Sequence, residues 1–192
     1  MLFRSARVIA MMDREMRGGN WLREDGMQLT GKTLGLIGFG GIASEVARIA
    51  TGSGMKVMAW NRSPKTCPGV EFAELDTVLA QSDAVSIHLL LNDETRGMIT
   101  REKIGKMKPG VVLINTARGA IVDEAAMIDA LKSDHIRHAG LDVFNIEPMP
   151  AGHPLTKLAN VTLSAHSAFR TPEASENLIE AAWVHCRRIV KG

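Results

Sequence analysis

Short apolar runs rich in β-branched residues alternate with polar segments of helical period along most of the chain. Each run is nearly continuous in apolar residues, which is typical of a strand covered on both faces. The pattern predicts strands at 33–38, 56–60, 84–89, 111–116, 138–143 and 161–164. After an amphipathic N-terminal helix, it predicts helices at 41–52, 71–81, 100–107, 123–133 and 172–190.

Helix-start signals support this division of the chain. Asp123 and Thr171 are suitable N-caps, and Pro172 follows at a first helical position. Because crossovers between parallel strands are right-handed, the alternation predicts an α/β fold with a doubly wound parallel sheet of the Rossmann type. Ligands of such sheets bind beyond the carboxyl ends of the strands.

Composition and charge narrow the possible functions. The 192 residues suit one domain, and no repeat or low-complexity tract interrupts them. The net charge is +2, with 23 basic residues scattered among 21 acidic ones, so we expect no nucleic-acid partner. No apolar run approaches the roughly 18 residues of a membrane span. The N-terminal segment carries charges through its apolar face, unlike a secretory signal, so the expected location is cytoplasmic.

The cysteines and histidines lack the spacing of metal ligands. Cys67 and Cys186 are the two cysteines, and reduced thiols are the simplest interpretation. The histidines at 135, 138, 153 and 185 also lack the spacing of metal ligands. The sequence therefore predicts no metal site.

The first predicted strand runs into the motif GFGGIA at 38–43. Gly38 permits a tight turn, and Gly40 lets the backbone approach a pyrophosphate, while Ala43 stands where a third glycine is usual. The next helix would point its N-terminal amides at the phosphates. Glycine pairs also make plain turns, but the strand–motif–helix context favours dinucleotide binding. We therefore interpret 1–192 as a dinucleotide-binding domain, with 1–20 an N-terminal linking or dimerisation helix and 172–192 a C-terminal helix.

The second strand lacks the acid that usually reads the adenosine ribose. Asn61, Arg62 and Ser63 follow it instead. An acid there accepts hydrogen bonds from the ribose hydroxyls and repels a 2′-phosphate, whereas Asn61 removes the repulsion and Arg62 can pair with the phosphate. These residues favour NADP(H) over NAD(H). Alternatively, Arg62 and Lys65 belong to a solvated loop in which Pro64 fixes a turn.

Three charged residues follow three of the predicted strands. Arg118 comes after VVLINT, Glu147 after HAGLDVF and His166 after VTLS. If these strands are neighbours, about 4.8 Å apart, their side chains converge beside the nucleotide site. A guanidinium can hold a substrate carboxylate, an imidazole can move a proton, and a carboxylate can orient the ring. With a nicotinamide cofactor, this set would interconvert a 2-keto acid and a 2-hydroxy acid.

Each of these residues also has a structural interpretation. Arg118 could satisfy loop carbonyls, Glu147 could form a surface ion pair, and His166 could be a buried, hydrogen-bonded histidine. We interpret His88, also at a strand end, as a structural or cofactor-lining group rather than a second catalyst.

The chain resembles the D-isomer-specific 2-hydroxyacid dehydrogenases from about Leu2 to Lys191. The motifs that carry the resemblance are TGKTLGLIGFGGIA, IHLLLNDETRGMI, MKPGVVLINTARGAIVDEAAMIDAL, HAGLDVFNIEP, HPLTKLANVTLSAH and RTPEASEN. Together they are highly specific for the family, although none is specific alone.

The resemblance implies roles for particular residues. Arg118 would bind the substrate carboxylate and carbonyl, and His166 would be the general acid/base with Glu147 as its partner. Glu147 argues against the formate dehydrogenase branch, which keeps Gln here. The implied cofactor contacts are Gly41 and Ile42 at the pyrophosphate, Leu89, Leu90 and Thr95 on the next loop, Thr116 and Ala117 near the nicotinamide, and Asp142 on its carboxamide.

The sequence departs from the family pattern in several places. Asn61 replaces the usual Asp and supports NADP(H), while Leu90 and Ala165 replace frequent prolines and could shift loop geometry. We also expect the family's substrate-binding lobe to be absent, which would weaken substrate positioning and water exclusion. In relatives the N-terminal region crosses to a second subunit, so we expect a homodimer through the nucleotide-binding domain, with fraying of the N-terminal helix into solvent as the alternative.

Three hypotheses follow. The leading one is an NADP-linked 2-hydroxyacid dehydrogenase of the glyoxylate/hydroxypyruvate reductase kind, acting on a small 2-keto or 2-hydroxy acid. The second is a nucleotide-sensing module without catalysis. Sensing needs no proton transfer, so the retention of Arg118, Glu147 and His166 argues against this hypothesis. The third is an inactive fragment of a longer reading frame.

Overall fold

The computed structural model describes the backbone of residues 1–191 and the side chains of residues 1–189. Its centre is a seven-stranded parallel sheet in the order β3-β2-β1-β4-β5-β6-β7. The predicted doubly wound sheet is therefore confirmed. The strands are β1 (Thr33–Ile37), β2 (Lys56–Trp60), β3 (Val70–Phe72), β4 (Ala84–Ile87), β5 (Val111–Asn115), β6 (Ile136–Leu141) and β7 (Val161–Leu163).

Seven α-helices accompany the sheet in the described residues. They are α1 (Leu2–Ala6), α2 (Ile9–Arg17), α3 (Gly41–Gly52), α4 (Leu75–Gln81), α5 (Arg101–Lys106), α6 (Glu124–Lys132) and α7 (Pro172–Lys191). Asp123 and Thr171 cap α6 and α7, because their side-chain oxygens accept hydrogen bonds from the amides of Ala126 and Ala174 at 2.9 and 3.0 Å. Gly192, the last residue of the predicted C-terminal segment, lies outside the described residues.

The sheet is apolar on both faces. Leu34 and Leu36 of β1 belong to one buried cluster, with Ala43 and Ala47 of α3. Ile37 points to the opposite face, whose cluster includes side chains of α4, α5 and α6. This double coverage explains why the strands read as continuous apolar runs. Within the described residues, no helix is long and apolar enough to cross a membrane.

Two predicted elements are wrong in detail. Residues 70–72 form the edge strand β3, and α4 begins only at Leu75, whereas the sequence pattern placed a helix from 71. Val70 pairs with Val57, and this contact with a distant strand overrides the local helical period. The predicted N-terminal helix is two helices, because Val8 adopts a left-handed conformation (φ 47°) between α1 and α2. Helix α1 contacts β5, β6 and β7 and buries Ser5 and Ala6, so it packs against the sheet.

Candidate functional site

The glycine turn lies at the carboxyl end of β1. Gly38 has a φ of 89°, and a Cβ atom there would lie 2.9 Å from the carbonyl oxygen of His88. An alanine would therefore be strained by its φ and would also clash with backbone. A Cβ atom added at Gly40 or Gly41 would have no other atom within 4 Å, so the backbone is open where α3 begins. Free amides at a helix start suit a phosphate group.

The loop after β2 holds the glycine turn through both backbone groups of Phe39. Asn61 Oδ1 accepts a hydrogen bond from the Phe39 amide at 3.0 Å, and Lys65 Nζ donates one to the Phe39 carbonyl at 2.7 Å. Asn61 Nδ2 also donates to the carbonyl of Ser63 at 2.8 Å. Asn61 thus connects the glycine turn with the loop that would read the ribose.

A cavity of about 480 Å³, called cavity A, lies above this turn. Arg62 points toward it and forms an ion pair with Glu94 of the loop after β4. The pair is exposed, since 73% of the Arg62 side chain and 67% of the Glu94 side chain remain accessible. The predicted cofactor residues that line cavity A are Gly38, Gly40, Asn61, Arg62, Ser63, Leu89, Leu90 and Thr95.

The loop after β4 forms a second wall of cavity A. Thr95 Oγ1 donates a hydrogen bond to the carbonyl of Leu90 at 2.7 Å and accepts one from the amide of Asn92 at 2.9 Å. These bonds fix the loop and leave the Leu90 side chain 77% exposed. His88 Nε2 lies 3.0 Å from Ser86 Oγ, and burial lowers the pKa of His88 to about 4. His88 is therefore neutral at pH 7 and lines the cavity, as the sequence suggested.

A smaller cavity of about 290 Å³, called cavity B, continues toward β5. It shares Gly40, Leu89 and Leu90 with cavity A, so the two form one crevice along the carboxyl edge of the sheet. The other predicted cofactor residues on its wall are Gly41, Ile42, Thr116, Ala117 and Arg118.

Asn115, at the end of β5, shapes the loop that carries Arg118. It is buried, its Oδ1 accepts a hydrogen bond from the Ala117 amide, and its Nδ2 donates to the Arg118 carbonyl, both at 3.0 Å. Arg118 itself is exposed and donates from Nη1 to the Ala117 carbonyl at 2.6 Å. Arg118 therefore satisfies a loop carbonyl and still borders cavity B.

His166 and Glu147 form a direct pair. His166 Nδ1 lies 2.7 Å from Glu147 Oε2, and Glu147 Oε1 accepts a hydrogen bond from the Phe144 amide at 2.8 Å. The hydrogen bond with His166 is the main cause that lowers the pKa of Glu147, ahead of the Phe144 amide. Both side chains are about one-third exposed, and both border a cavity of about 690 Å³, called cavity C.

Asp142 fixes the turn on which His166 lies. It is buried, Oδ1 accepts hydrogen bonds from the Ser164 hydroxyl and the Ser167 amide, and Oδ2 accepts one from the Ala168 amide at 2.9 Å. Burial opposes ionisation of Asp142, but these hydrogen bonds outweigh it and its pKa is lowered. The Asp142 carbonyl also accepts the His166 amide at 2.8 Å, which helps hold His166 at a φ of 48°. The contact of Asp142 with the carboxamide of a bound nicotinamide stays a prediction.

Arg118, Glu147 and His166 follow the adjacent strands β5, β6 and β7, as the sequence predicted. The positive charge of Arg118 contributes to the lowered pKa of Glu147, so the two groups are within electrostatic reach. Backbone contact brings their loops together, because a Cβ atom at Gly119 would overlap the Phe144 carbonyl carbon at 2.2 Å. Arg118 borders cavity B and the other two border cavity C, so the three line adjoining parts of one sheet edge.

Sequence reasoning missed several residues that shape this edge. Glu94 lies in the motif IHLLLNDETRGMI, but nothing in that motif indicates its ion pair with Arg62, a partner 32 positions away. Asn115 and Ser164 were recognisable as polar ends of apolar runs, but their partners were not.

The glycine turn, the open start of α3 and the crevice along the carboxyl edge define a dinucleotide-binding α/β domain of the Rossmann type. A family model described as "D-isomer specific 2-hydroxyacid dehydrogenase, NAD binding domain" matches residues 1–168. The chain belongs to the D-isomer-specific 2-hydroxyacid dehydrogenase family, through its nucleotide-binding domain.

Individual relatives agree with this assignment. The chain is 41% identical over 179 residues to a hydroxypyruvate reductase of Thermotoga maritima, covering 92% of this chain and 57% of the relative. It resembles the structure of D-lactate dehydrogenase with NAD⁺ from Lactobacillus jensenii (TM-score 0.85, 34% identity, 93% of this chain and 59% of that one). It also resembles a family member from Xanthobacter autotrophicus Py2 in complex with NADPH and MES (TM-score 0.78, 37% identity, 86% and 54%). The chain thus spans somewhat more than half the length of these three relatives.

Proposed function

We propose that this chain is the NADP(H)-binding domain of a dehydrogenase that interconverts a small 2-keto acid and the corresponding 2-hydroxy acid. The observation that carries the proposal is the 2.7 Å pair of His166 and Glu147 at the sheet edge that also holds the glycine turn. A glycine turn by itself supports only nucleotide binding, whereas an oriented imidazole beside it supports proton transfer.

The residues present fit a dinucleotide. Gly38 lies where a Cβ would clash, and Gly40 and Gly41 leave the start of α3 open for a pyrophosphate. The loop carrying Asn61, Arg62 and Ser63 would hold the adenosine half in cavity A. Residues of cavity B, including Thr116 and Ala117, would border the nicotinamide half. A nicotinamide cofactor held by these residues would supply the hydride for reduction of a keto acid.

The charged residues would carry out the remaining steps. Arg118 would hold the substrate carboxylate, and its guanidinium can also donate a hydrogen bond to the keto oxygen. Because Nδ1 of His166 is engaged by Glu147, Nε2 is the nitrogen that would exchange a proton with the substrate oxygen. During reduction that proton completes the new hydroxyl group, and during oxidation it returns to the imidazole. Glu147 orients the ring and stabilises its protonated form.

The proposed preference for NADP(H) depends on the residues directly after β2. Asn61 is uncharged at the position after β2 where an acidic residue usually binds the adenosine ribose. Arg62 borders the same cavity. Both features favour a 2′-phosphate, and thus NADP(H), over a free ribose hydroxyl. The relatives do not decide this preference, since the two solved structures described above are complexes with NAD⁺ and with NADPH.

The test of activity is oxidation of NADPH by the chain with glyoxylate or hydroxypyruvate. We expect His166→Gln to reduce turnover by about a hundredfold or more, because general acid/base catalysis contributes at least that factor. His153→Gln is the matched control, since His153 pairs with Glu124 at 3.4 Å away from the crevice. The proposal would be contradicted if His166→Gln left turnover unchanged. It would also be contradicted if the wild-type protein showed no turnover even when a substrate lobe is supplied.

We also propose that the chain forms a homodimer through its N-terminal part. Several large apolar side chains there are about half exposed or more, namely Phe3, Ile9, Met16 and Trp21. Burying them against a second copy would remove this apolar surface from water. The cytoplasmic location expected from the sequence stays a prediction.

A further inference from the structure

The ion pair between Arg62 and Glu94 crosses the mouth of cavity A. Arg62 follows β2 and Glu94 follows β4, and these two strands flank β1 on either side. The pair therefore spans the carboxyl end of β1, above the glycine turn. Both side chains are about two-thirds exposed or more.

Two other side chains of the loop after β2 are engaged in holding the glycine turn. Asn61 is bonded to Phe39 and Ser63, and Lys65 donates to the Phe39 carbonyl. Among the described residues that line cavity A, Arg62 and Lys65 are the lysine and arginine side chains. Arg62 differs from Lys65 in that its present partner is a carboxylate, whereas Lys65 is bonded to a neutral carbonyl.

We infer that Glu94 sets the preference between the two cofactors by competing with a 2′-phosphate for Arg62. The inference rests on the proposed NADP(H) site. A 2′-phosphate in cavity A must displace the Glu94 carboxylate from Arg62 and then lie near its negative charge. A cofactor with a free 2′-hydroxyl leaves the pair intact. Glu94 therefore weakens NADPH binding selectively.

The magnitude of this competition is set by exposure. An exposed ion pair contributes little, so a phosphate with three acceptor oxygens can replace it. The cost of breaking the pair, together with like-charge repulsion, corresponds to about a threefold to tenfold loss of NADPH affinity. The effect should decrease at high salt, because the groups are accessible to ions.

The experiment titrates NADPH and NADH against wild type and Glu94→Gln, with Trp60 fluorescence as the signal because Trp60 lines cavity A. We expect the variant to bind NADPH about threefold to tenfold more tightly, with NADH affinity changed less than twofold. Asp93→Asn is the matched control, since it removes the same charge one position away and has no ion pair within the described residues. In an Arg62→Ala background, Glu94→Gln should no longer tighten NADPH binding through competition.

Three results would overturn the inference: unchanged NADPH affinity in Glu94→Gln, equal changes for both cofactors, or an equal effect of Asp93→Asn. A purely structural role of Glu94 would affect both cofactors alike, so the ratio separates the two roles. The proposed cofactor preference is judged separately, from the ratio of the two affinities in wild type. Wild type can prefer NADPH while Glu94→Gln changes nothing, in which case only the inference fails.

Discussion

His138 lies fully buried on β6, with Nε2 2.9 Å from the hydroxyl oxygen of Thr162. Burial, followed by the charges of Arg137 and Arg14, lowers its pKa from 6.5 to about 4. No chemical role for His138 was evident in the sequence, and only the packing of β6 shows that it is a buried neutral base. Its effect is on stability rather than on the site.

We expect the free energy of unfolding to fall as the pH drops below 6.5 toward 4. The unfolded chain binds a proton at His138 in this range and the folded chain does not, so acid favours unfolding. The loss from His138 should be about 2 kcal/mol between pH 7 and pH 5, measured by urea denaturation. His138→Gln should reduce the pH dependence by that amount, whatever its effect on stability at pH 7. An unchanged slope would show that His138 is protonated in the folded protein.

Asn61 is the residue whose sequence interpretation changes most in the structure. The sequence shows only a missing negative charge, whereas the structure shows bonds to Phe39 and Ser63 that hold the glycine turn. An aspartate would keep the acceptor for Phe39 but would lose the donor to Ser63. The substitution therefore changes charge more than it changes the turn.

We expect Asn61→Asp to reverse the cofactor preference. The added carboxylate would repel a 2′-phosphate and accept hydrogen bonds from a free ribose hydroxyl, so NADPH should bind at least about tenfold more weakly relative to NADH. Fluorescence titration of both cofactors checks the ratio. Asn92→Asp, in the facing loop of the same cavity, is a control for added charge alone. Equal or stronger NADH binding by the wild type would contradict the NADP(H) assignment.

At the scale of elements, the carboxyl ends of β5, β6 and β7 act together through their loops. Asp142, directly after β6, accepts three hydrogen bonds from the segment after β7 and so determines where His166 lies. The doubly wound parallel sheet was predictable from the alternation of strands and helices. The Asp142 contacts were not, because they join residues 22 to 26 positions apart.

We expect Asp142→Asn to destabilise the fold by about 1–3 kcal/mol and to lower turnover as well. The amide nitrogen cannot accept a hydrogen bond, so one buried donor of the segment after β7 loses its partner. Denaturation and NADPH oxidation measure the two effects. Asp123→Asn is the control, because asparagine caps a helix about as well as aspartate. If the Asp142 and Asp123 variants behave alike, Asp142 does not hold the turn.

At the scale of the whole molecule, the parallel sheet is covered by helices on both faces, but apolar side chains remain exposed near both chain ends. Helix α7 is exposed along most of its described length and presents Leu178, Ile179 and Trp183 to solvent. The exposed N-terminal side chains lie on α1, α2 and the following turn. Surfaces of this kind mark contacts with other protein.

We expect the wild-type chain to sediment as a species of twice the chain mass. Ile9, on α2, is 46% exposed, and Ile9→Lys should shift the equilibrium toward monomer by placing a charge in the interface. Ile179→Lys is the control, because Ile179 is 70% exposed on α7 and lies outside the proposed N-terminal interface. A monomeric wild type, or a dimer that responds to Ile179→Lys instead, would contradict the N-terminal interface.

The sequence by itself determined the sheet, the position of the glycine turn and the three charged residues at neighbouring strand ends. These features depend on local apolar periodicity and on backbone needs such as the positive φ of Gly38. Tertiary structure alone decided that Val70–Phe72 forms an edge strand, that Arg62 is paired with Glu94, and that Asp142 supports His166. Each of these depends on a partner distant along the chain, and side-chain pairing at such distances leaves no local periodicity in the sequence.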